Sequence, residues 1–250
     1  MITIESYYSG SEANCYLVKN GDTTILLECG IEKDILINDI LWQKNRLNIS
    51  KLDGCIISHI HNDHSGIRYN TINKVNEYIN IYSCEEVYRK YNFKGNILNN
   101  NENFKIGSIT IKPISVYHGK SENFAFIFKD NDNKIFWGTD FSFMYSNLNK
   151  FKFNTIFIEI NYIDELINNK IKIAEQEEDN SKLLKYKRQM NTHMSLDNCI
   201  NLLSNWDLTE CSEIIAIHIS KDVGNRELIK KTIEDKFNIP CYCANHKGWY

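Results

Sequence analysis

The first third of the chain alternates short apolar segments with turn residues. β-Branched and aromatic residues predict three strands, at residues 1–4, 14–18 and 23–28. Asn20-Gly21-Asp22 predicts the turn that joins the last two strands into a hairpin. Apolar residues on one face then predict a helix at residues 32–44, and the apolar run 54–58 between turn signals is typical of a buried strand. The chain therefore begins with a hairpin and continues as a strand–helix alternation.

The remainder of the chain repeats this order. Ser83 followed by Glu86 has the spacing of a capping box and predicts a short helix to about Tyr91. Strands are predicted at residues 108–117, 123–129, 134–137, 155–160, 214–219 and 240–243, with a hairpin turn at 130–133. Helices are predicted at residues 162–173, 180–190, 195–206 and 226–237. This pattern predicts an α/β fold with two sheets sandwiched between helices, and we expect one domain over residues 1–250.

Residues 168–190 are the one candidate for an insertion into that domain. Acidic residues between positions 175 and 179 are followed by basic residues between positions 182 and 188. This charge pattern predicts an exposed helix whose charges are solvated. The alternative is a mobile basic arm over a substrate groove.

Composition and charge limit the kind of protein. With 42% hydrophobic and 24% charged residues, the chain falls in the globular range. A net charge of −3 provides no general attraction to nucleic acid or to an anionic membrane, so any polyanion would be bound locally. No apolar run is long enough to span a membrane, and we expect a soluble cytoplasmic protein. The eight cysteines show no CxxC spacing and are interpreted as packing residues.

Six of the seven histidines lie at or near the end of a predicted strand or the start of a predicted helix. Residues 58–66, SHIHNDHSG, gather three imidazoles and a carboxylate directly after a predicted strand. Loops at strand ends are where a rigid sheet can hold ligands. In extended backbone His59 and His61 point the same way, so both can bind one metal ion at ~2.0–2.1 Å. Asp63 and His64 can reach a second ion.

Three further donors follow three other predicted strands: His118, Asp140 and His218. A single His-x-His pair is compatible with ordinary hydrogen-bonded histidines, but that interpretation does not account for seven donors placed in this way. The pattern therefore predicts a metal site. His246, which lacks such neighbours, is interpreted as a surface residue.

Residues 59–64 resemble the HxHxDH signature of the metallo-β-lactamase superfamily, and the three later donors follow in the order of its remaining ligand motifs. The resemblance spans almost the whole chain. It implies a four-layer αββα sandwich with a two-metal site at one edge, between the sheets. It also implies the following division of ligands: His59, His61 and His118 for the first metal, Asp63, His64 and His218 for the second, and Asp140 as the bridge.

Within the superfamily the chain is most similar to nucleases. Glu159 in FIEIN, His193 in THMS and His218 in HIS resemble motifs of the tRNA 3′-end-processing endonucleases. Residues 10–16, GSEANCY, and 159–161, EIN, resemble the YycJ/WalJ-type exonuclease-like proteins. The chain departs from the family at two places: Glu28 stands where the family has Asp, and residues 221–225, KDVGN, replace the Asn pair expected after Ser220.

The implied ligand set points to hydrolysis. Two metals ~3.5–4 Å apart lower the pKa of a bridging water and hold both the attacking and leaving oxygens of an in-line displacement. Nitrogen and oxygen donors favour two zinc ions and also admit manganese or iron. We therefore expect a metal-bridging hydroxide as nucleophile, with Asp63 among the catalytic residues.

His193 is not needed to complete either ligand set and is predicted to begin a helix over the site. Paired with Glu159, it would stay protonated and serve as general acid for an alkoxide leaving group. A purely structural Glu–His hydrogen bond is the alternative. Ser220, Lys221 and Asn225, at the N-terminus of the helix 226–237, are predicted to bind the substrate phosphate.

These predictions describe a binuclear metal-dependent phosphodiesterase, a DNA or RNA nuclease that acts on nucleic acid ends. One alternative is a small-molecule metallohydrolase for thioesters, lactones or cyclic phosphodiesters. Another is a metal-dependent binding or regulatory protein without turnover. A redox di-iron site is disfavoured, because the branch of the superfamily that has one carries Glu at the position of His61.

Overall fold

The strands of the chain form two sheets in the computed structural model, which describes residues 1–244. The first sheet has the order β1-β2-β3-β4-β5-β6. Its strands are Thr3–Tyr8 (β1), Cys15–Asn20 (β2), Thr23–Cys29 (β3), Gly54–Ile57 (β4), Ile81–Ser83 (β5) and Gly95–Ile97 (β6). The pairs β1–β2 and β2–β3 are antiparallel, and the pairs from β3 to β6 are parallel.

The second sheet contains the later strands, in the order β11-β8-β9-β10-β12-β13-β14 with β7 paired to β8. Its strands are Phe104–Ile106 (β7), Ile109–His118 (β8), Ser121–Lys129 (β9), Lys134–Gly138 (β10), Phe143–Met144 (β11), Thr155–Glu159 (β12), Glu213–Ile217 (β13) and Cys241–Cys243 (β14). The pairs β10–β12, β12–β13 and β13–β14 are parallel. This sheet therefore changes from antiparallel to parallel pairing at β10.

Helices flank the two sheets. The α-helices are Asn62–Ser65 (α1), Thr71–Asn76 (α2), Glu85–Tyr91 (α3), Asp164–Gln176 (α4), Asn180–Thr192 (α5), Leu196–Leu203 (α6) and Arg226–Phe237 (α7). A π-helical segment, Ile35–Lys44, precedes them. None of the described helices is long and apolar enough to cross a bilayer, and a cytoplasmic location stays a prediction.

Successive side chains along the strands of the second sheet pack into two different apolar clusters. On β9, Phe124, Phe126 and Phe128 pack into the cluster shared with the first sheet, whereas Ala125 and Ile127 pack into the cluster beneath α6 and α7. Successive residues of a strand face opposite sides, so a strand buried on both faces is apolar throughout. The predicted α/β sandwich of two sheets between helices is confirmed.

Some local predictions are wrong. Ser83 does not cap α3; its side chain lies in β5 and its hydroxyl donates to the carbonyl of Ile57 at 2.8 Å, while Cys84 precedes the helix. β1 runs to Tyr8, beyond the predicted end of the strand at residue 4. Eight short elements were not predicted: α1, α2, β5, β6, β7, β11 and the 3₁₀ turns Ile49–Lys51 and Ile67–Tyr69. They are too short for their side-chain periodicity to be distinguished from loop sequence.

The predicted insertion, residues 168–190, covers most of α4 and α5. These two helices pack on the rest of the chain through a small cluster of Tyr162, Ile167, Tyr186 and Val223. The carboxylate of Asp222 accepts from the Tyr186 hydroxyl at 2.7 Å and lies 3.0 and 3.1 Å from the ammonium groups of Lys170 and Lys185. The helix pair is thus held to the loop between β13 and α7 by one carboxylate.

Candidate metal centre

The predicted metal ligands gather where strands of both sheets end. Residues 59–64 follow β4 of the first sheet, and His118 is the last residue of β8. Asp140 follows β10 and His218 follows β13, while Glu159 ends β12. The carboxyl ends of parallel strands meet at one sheet edge, where open α/β folds bind ligands. The structure therefore brings these seven predicted ligands and Glu159 to one place.

His59, His61 and His118 form the first group of donors, which we call the imidazole group. Nδ1 of His61 lies 2.9 Å from Nε2 of His59 and 3.1 Å from Nε2 of His118. The carbonyl of Thr192 accepts a hydrogen bond of 2.9 Å from Nδ1 of His118. Because that carbonyl can only accept, the proton of His118 is on Nδ1 and its Nε2 presents a lone pair.

These imidazoles are held in the neutral state. Burial, together with the neighbouring imidazole of His64, lowers the pKa of His59 well below its usual value. Burial and the ring of His118 lower the pKa of His61, and burial also lowers that of His118. Neutral imidazole is the form that binds a metal ion.

A second group consists of Asp63, His64, Asp140 and His218, whose donor atoms lie within 4.8 Å of one another. Nε2 of His64 is 3.3 Å from Oδ2 of Asp63 and 3.4 Å from Oδ1 of Asp140. Burial opposes the charge on His218, but the carboxylates of Asp140, Asp63 and Glu159 raise its pKa to about 10. Asp140 also has a carboxylate oxygen within 4.8 Å of the donors of the imidazole group, so it lies between the two groups.

Glu159 is fully buried and hydrogen-bonds two imidazoles at once. Its Oε1 accepts from Nδ1 of His193 at 2.7 Å and from Nδ1 of His218 at 2.8 Å. Its Oε2 accepts from the backbone of Phe141 at 2.9 Å and of Met194 at 3.3 Å. Burial opposes the charge on His193, but Glu159 and Asp140 raise its pKa, so His193 holds its proton more firmly than a free histidine. We call Glu159, His193 and His218 the carboxylate group.

Three residues of the centre have left-handed backbone conformations. Glu28, Asp140 and His218 have φ angles of 61°, 53° and 53°. Such angles are uncommon for residues other than glycine and are kept where the surrounding structure enforces them, often at functional sites. At each of these three residues the conformation turns the backbone sharply at the end of a strand and directs the side chain into the centre.

Asn14 and Glu28 hold the loop that carries Asp63 and His64. The backbone and side-chain nitrogens of Asn14 donate to the carbonyl of Asp63 at 2.8 and 3.2 Å. Oε1 of Glu28 accepts from the backbone of Ser58 at 3.1 Å, and its Oε2 lies 3.6 Å from Nδ1 of His64. A Cβ at Gly30 would meet the carbonyl of Asp63, so only glycine permits this close approach.

The donors fit divalent cations. One proton on Nδ1 of His61 cannot satisfy Nε2 of both His59 and His118, whereas one cation can accept all three lone pairs. Tetrahedral ligands at ~2.0–2.1 Å lie about 3.3 Å apart, close to the nitrogen separations found in the imidazole group. Nε2 of His218 is buried without a hydrogen-bond partner among the described residues, which fits a donor that points at an ion.

A pocket of about 940 Å³ opens over the centre. Six of the predicted site residues contribute to its wall: His61, Asp63, His118, Asp140, His193 and His218. His59, His64 and Glu159 are fully buried behind them. His193 follows the last residue of α5 instead of beginning a helix, and Ser195 caps the next helix, α6.

The predicted phosphate contacts lie beside this pocket and not in the wall that the described residues form. The hydroxyl of Ser220 accepts from the backbone of Val223 at 3.4 Å, and the side chain of Asn225 caps α7. Lys221 forms a 2.9 Å ion pair with Glu12, which does line the pocket. Their part in substrate binding stays a prediction. His246 lies outside the described residues.

Neither Asn14 nor Lys120 was predicted to take part in the site, and Arg188 was considered only as part of a basic arm over a substrate groove. Lys120 and Arg188 line the pocket, and Lys120 follows the ligand His118 by two residues, which is the one signal that could have drawn attention to it. Asn14 stands in the quoted GSEANCY segment, but its hydrogen bonds across 49 positions to Asp63 are decided by tertiary structure.

A family model described as a beta-lactamase superfamily domain matches residues 23–219 of the chain. The chain belongs to this superfamily. Its His/Asp clusters are suited to binding metal ions, as is typical of the metallo-hydrolase fold. No curated protein sequence matches the chain.

Solved structures of the same superfamily are similar over nearly their whole length. The metallo-beta-lactamase fold protein YhfI from Bacillus subtilis is 16% identical with a TM-score of 0.74, covering 100% of this chain and 98% of that one. A diphosphatase from the PhnP family is 15% identical with a TM-score of 0.64, covering 99% and 96%. The short form of human tRNase Z is 11% identical with a TM-score of 0.64, covering 99% and 97%. At these identities the likeness shows the metallo-β-lactamase fold.

Proposed function

We propose that this protein is a binuclear metal-dependent phosphodiesterase, a nuclease that acts on DNA or RNA ends. Within the superfamily we assign it to the YycJ/WalJ-type and tRNase Z-like branch, with residues 1–250 as one domain. His59, His61 and His118 would bind the first metal and Asp63, His64 and His218 the second, with Asp140 between them. Zinc is the metal we propose, because the donors are imidazole nitrogens and carboxylate oxygens.

The hydrogen bond between His193 and Glu159 is the observation that carries this proposal. It is 2.7 Å long, and the ring of His193 lines the pocket while Glu159 is buried. Cleavage of a phosphodiester releases an alkoxide, which needs a proton far more than a thiolate does. A protonated imidazole at the pocket wall, kept charged by a buried carboxylate, is suited to supply that proton.

The chain's other residues prepare this proton transfer. When bound, two divalent ions supply an activated water and neutralise charge on the phosphate. Glu159 keeps Nδ1 of His193 protonated, so that Nε2 is the nitrogen that can deliver a proton to the leaving oxygen. The hydrogen bond from Nδ1 of His118 to the carbonyl of Thr192 fixes the backbone directly before His193. Asp63, a member of the second group of donors, lies at the pocket wall with its Oδ2 3.8 Å from Nε2 of His218.

A small-molecule metallohydrolase is the second candidate. A pocket of about 940 Å³ is at the upper end of the range for small-ligand sites, and one of the similar structures bears the name of a diphosphatase. In this case thioesters, lactones or cyclic phosphodiesters would be turned over and long nucleic acids would not.

The test compares two leaving groups on one nucleotide, in zinc- or manganese-loaded protein. Thymidine 5′-(p-nitrophenyl phosphate) releases a weakly basic phenolate, and the dinucleotide TpT releases an alkoxide. We expect both to be cleaved, and we expect His193→Ala to lower kcat by about 10²–10⁴-fold on TpT and by less than about 10-fold on the nitrophenyl ester.

Asn201→Ala, an exposed position on α6, is the control and should behave as wild type on both compounds. If His193→Ala lowered kcat equally on both compounds, His193 would be excluded as the general acid. Inactivity of the metal-loaded wild type on every phosphodiester, with turnover of a thioester or lactone panel, would select the second candidate.

A further inference from the structure

Three basic side chains line the pocket from three separate parts of the chain. Arg68 lies in the turn Ile67–Tyr69, Lys120 lies in the turn between β8 and β9, and Arg188 lies on α5. All three are exposed. Among residues 1–244 none of them forms an ion pair with a carboxylate. We call these three residues the basic rim.

Two other basic residues of α5 pair with carboxylates. On α5, Lys182 lies 3.2 Å from Asp179 and Lys185 lies 3.1 Å from Asp222. Glu12, an acidic residue of the pocket wall, is paired with Lys221 at 2.9 Å. Glu12 therefore has a basic partner outside the basic rim.

The basic rim and the metal centre are formed by different residues of one pocket wall. Asp63 and Asp140 belong to the donor groups that take metal ions, and the phosphate that is cleaved would lie against those ions. Cations that line a concave site concentrate positive potential and attract anions to it. A single phosphodiester carries one negative charge, which the metal ions already attract, so the basic rim is available to a second anionic group.

We propose that Arg68, Lys120 and Arg188 bind a second phosphate of the substrate, next to the phosphate that is cleaved. This inference rests on the proposed phosphodiesterase function and narrows its substrate class. The ring of Tyr69, which is 36% exposed, lines the same pocket and lies 5.8 Å from the Arg68 guanidinium. An aromatic face beside basic groups suits a nucleotide whose base stacks and whose phosphates are bound, and it favours a nucleic acid strand over a simple diphosphate ester.

Two matched substrates test the basic rim: thymidine 5′-(p-nitrophenyl phosphate) with and without a 3′-phosphate. We expect the wild type to have a kcat/KM about 10-fold higher for the 3′-phosphorylated compound, because charge-assisted hydrogen bonds to phosphate are worth that factor or more. Arg68→Gln and Arg188→Gln should each remove most of this preference. Lys187→Gln is the control, because Lys187 is an exposed neighbour of Arg188 on α5 that does not line the pocket.

Binding measured by calorimetry gives a second readout that needs no turnover. Thymidine 3′,5′-bisphosphate should bind the metal-loaded wild type about 10-fold more tightly than thymidine 5′-phosphate, and raised salt should reduce the difference. Equal binding of the two nucleotides by the wild type would overturn the proposed role of the basic rim. A loss of preference in Lys187→Gln as large as in Arg68→Gln and Arg188→Gln would overturn it as well. Tighter binding of thymidine 5′-diphosphate than of the bisphosphate would overturn the assignment to a nucleic acid strand.

The two proposals fail in different ways. If the wild type cleaves both nitrophenyl esters at the same rate and binds both nucleotides equally, the phosphodiesterase stands and the basic rim falls. If it cleaves neither ester but prefers the bisphosphate in calorimetry, the basic rim stands and the proposed function falls.

Discussion

On one side of the metal centre three imidazoles face one another, whereas on the other side two imidazoles share one carboxylate. In the imidazole group, burial and mutual repulsion lower the pKa values of His59, His61 and His118. In the carboxylate group, Glu159 and Asp140 outweigh burial and raise the pKa of His193, the one imidazole of that group that is not a proposed metal ligand. Burial opposes the charged form on both sides, although His61 is itself exposed, so the difference comes from the neighbouring charges.

This contrast shows how one residue type can serve two purposes. A neutral imidazole presents a lone pair to a metal ion, and a charged imidazole presents a proton to a leaving group. Asp140 lies within 4 Å of His59 and His118 without keeping them charged, so what distinguishes His193 is its 2.7 Å hydrogen bond to Glu159. The first two changes below each alter one side of this contrast, and the last two alter supporting contacts outside it.

Removal of a ligand from the imidazole group should have the largest effect. His59→Ala takes away a fully buried nitrogen donor, and we expect a loss of about one metal ion per chain and a drop in kcat on the order of 10³-fold. The number of bound metal ions is measured by elemental mass spectrometry. The drop in kcat is measured on a nitrophenyl phosphodiester. Asp63→Ala should remove an ion as well, and if either variant kept two ions and full activity, the assigned ligand set would be wrong.

Removal of the charge of Glu159 should act on the carboxylate group alone. Glu159→Gln keeps the size of the side chain but no longer holds a proton on His193, so we expect about 10²-fold lower kcat on TpT and a smaller loss on the nitrophenyl ester. The matched control variant is Glu213→Gln, because Glu213 lies at the opposite end of the neighbouring strand β13. If Glu159→Gln lowered kcat by the same factor on both compounds, the role of Glu159 would be to support metal binding through His218.

Glu28 supports the metal-binding loop without contact with the pocket. Its carboxylate accepts from the backbone of Ser58 and lies 3.6 Å from Nδ1 of His64. Groups that orient metal ligands typically contribute about 10–100-fold to metal affinity, so Glu28→Gln should lower the affinity for one metal ion by about 10-fold. Competition with a chromogenic chelator measures this affinity. Unchanged affinity for both ions would mean that Glu28 serves only to hold the strand end.

The smallest effect is expected at Asp222, which ties α4 and α5 to the loop after β13. The hydroxyl of Tyr186, with Lys170 and Lys185, lowers the pKa of Asp222 to about 2. Because the folded-state pKa is depressed, the stabilisation is present above the unfolded pKa of about 4 and is lost as the pH falls through about 2.

Asp222→Asn should therefore lower Tm by about 2–4 °C at pH 7, since such partly exposed pairs contribute at most about 1 kcal/mol. The difference from wild type should shrink towards pH 2. Thermal unfolding followed by circular dichroism at several pH values is the measurement, with Asp235→Asn, an exposed position on α7, as control. A pH-independent difference would attribute the effect to lost packing.

The order of polar residues along the chain was sufficient to predict much of the centre. His59, His61, Asp63, His64, His118, Asp140 and His218 follow predicted strands, and the resemblance to the HxHxDH signature implied that they share one site between two sheets. Glu159 and His193 were singled out by their resemblance to nuclease motifs, and the structure places Oε1 of Glu159 2.7 Å from Nδ1 of His193. Their roles in metal binding and proton transfer remain predictions.

The phosphate contacts could not be predicted in the same manner. Ser220, Lys221 and Asn225 were selected because they stand at the N-terminus of the helix 226–237, yet Lys221 pairs with Glu12 and Asn225 caps that helix. Arg68, Lys120 and Arg188 meet at the pocket from positions up to 120 residues apart, on a turn, a hairpin and a helix. Nothing in the local sequence marks an exposed arginine as facing a pocket.

By itself the sequence determined the two-sheet sandwich and the gathering of imidazoles and carboxylates at strand ends. Strand periodicity and backbone direction are local properties, so they can be read from neighbouring residues. Tertiary structure alone decided that Glu159 contacts both His193 and His218, that Asn14 holds Asp63, and that three basic residues line one pocket. Such contacts depend on the packing of distant segments, and a side chain acquires its charge state and its partner only when those segments meet.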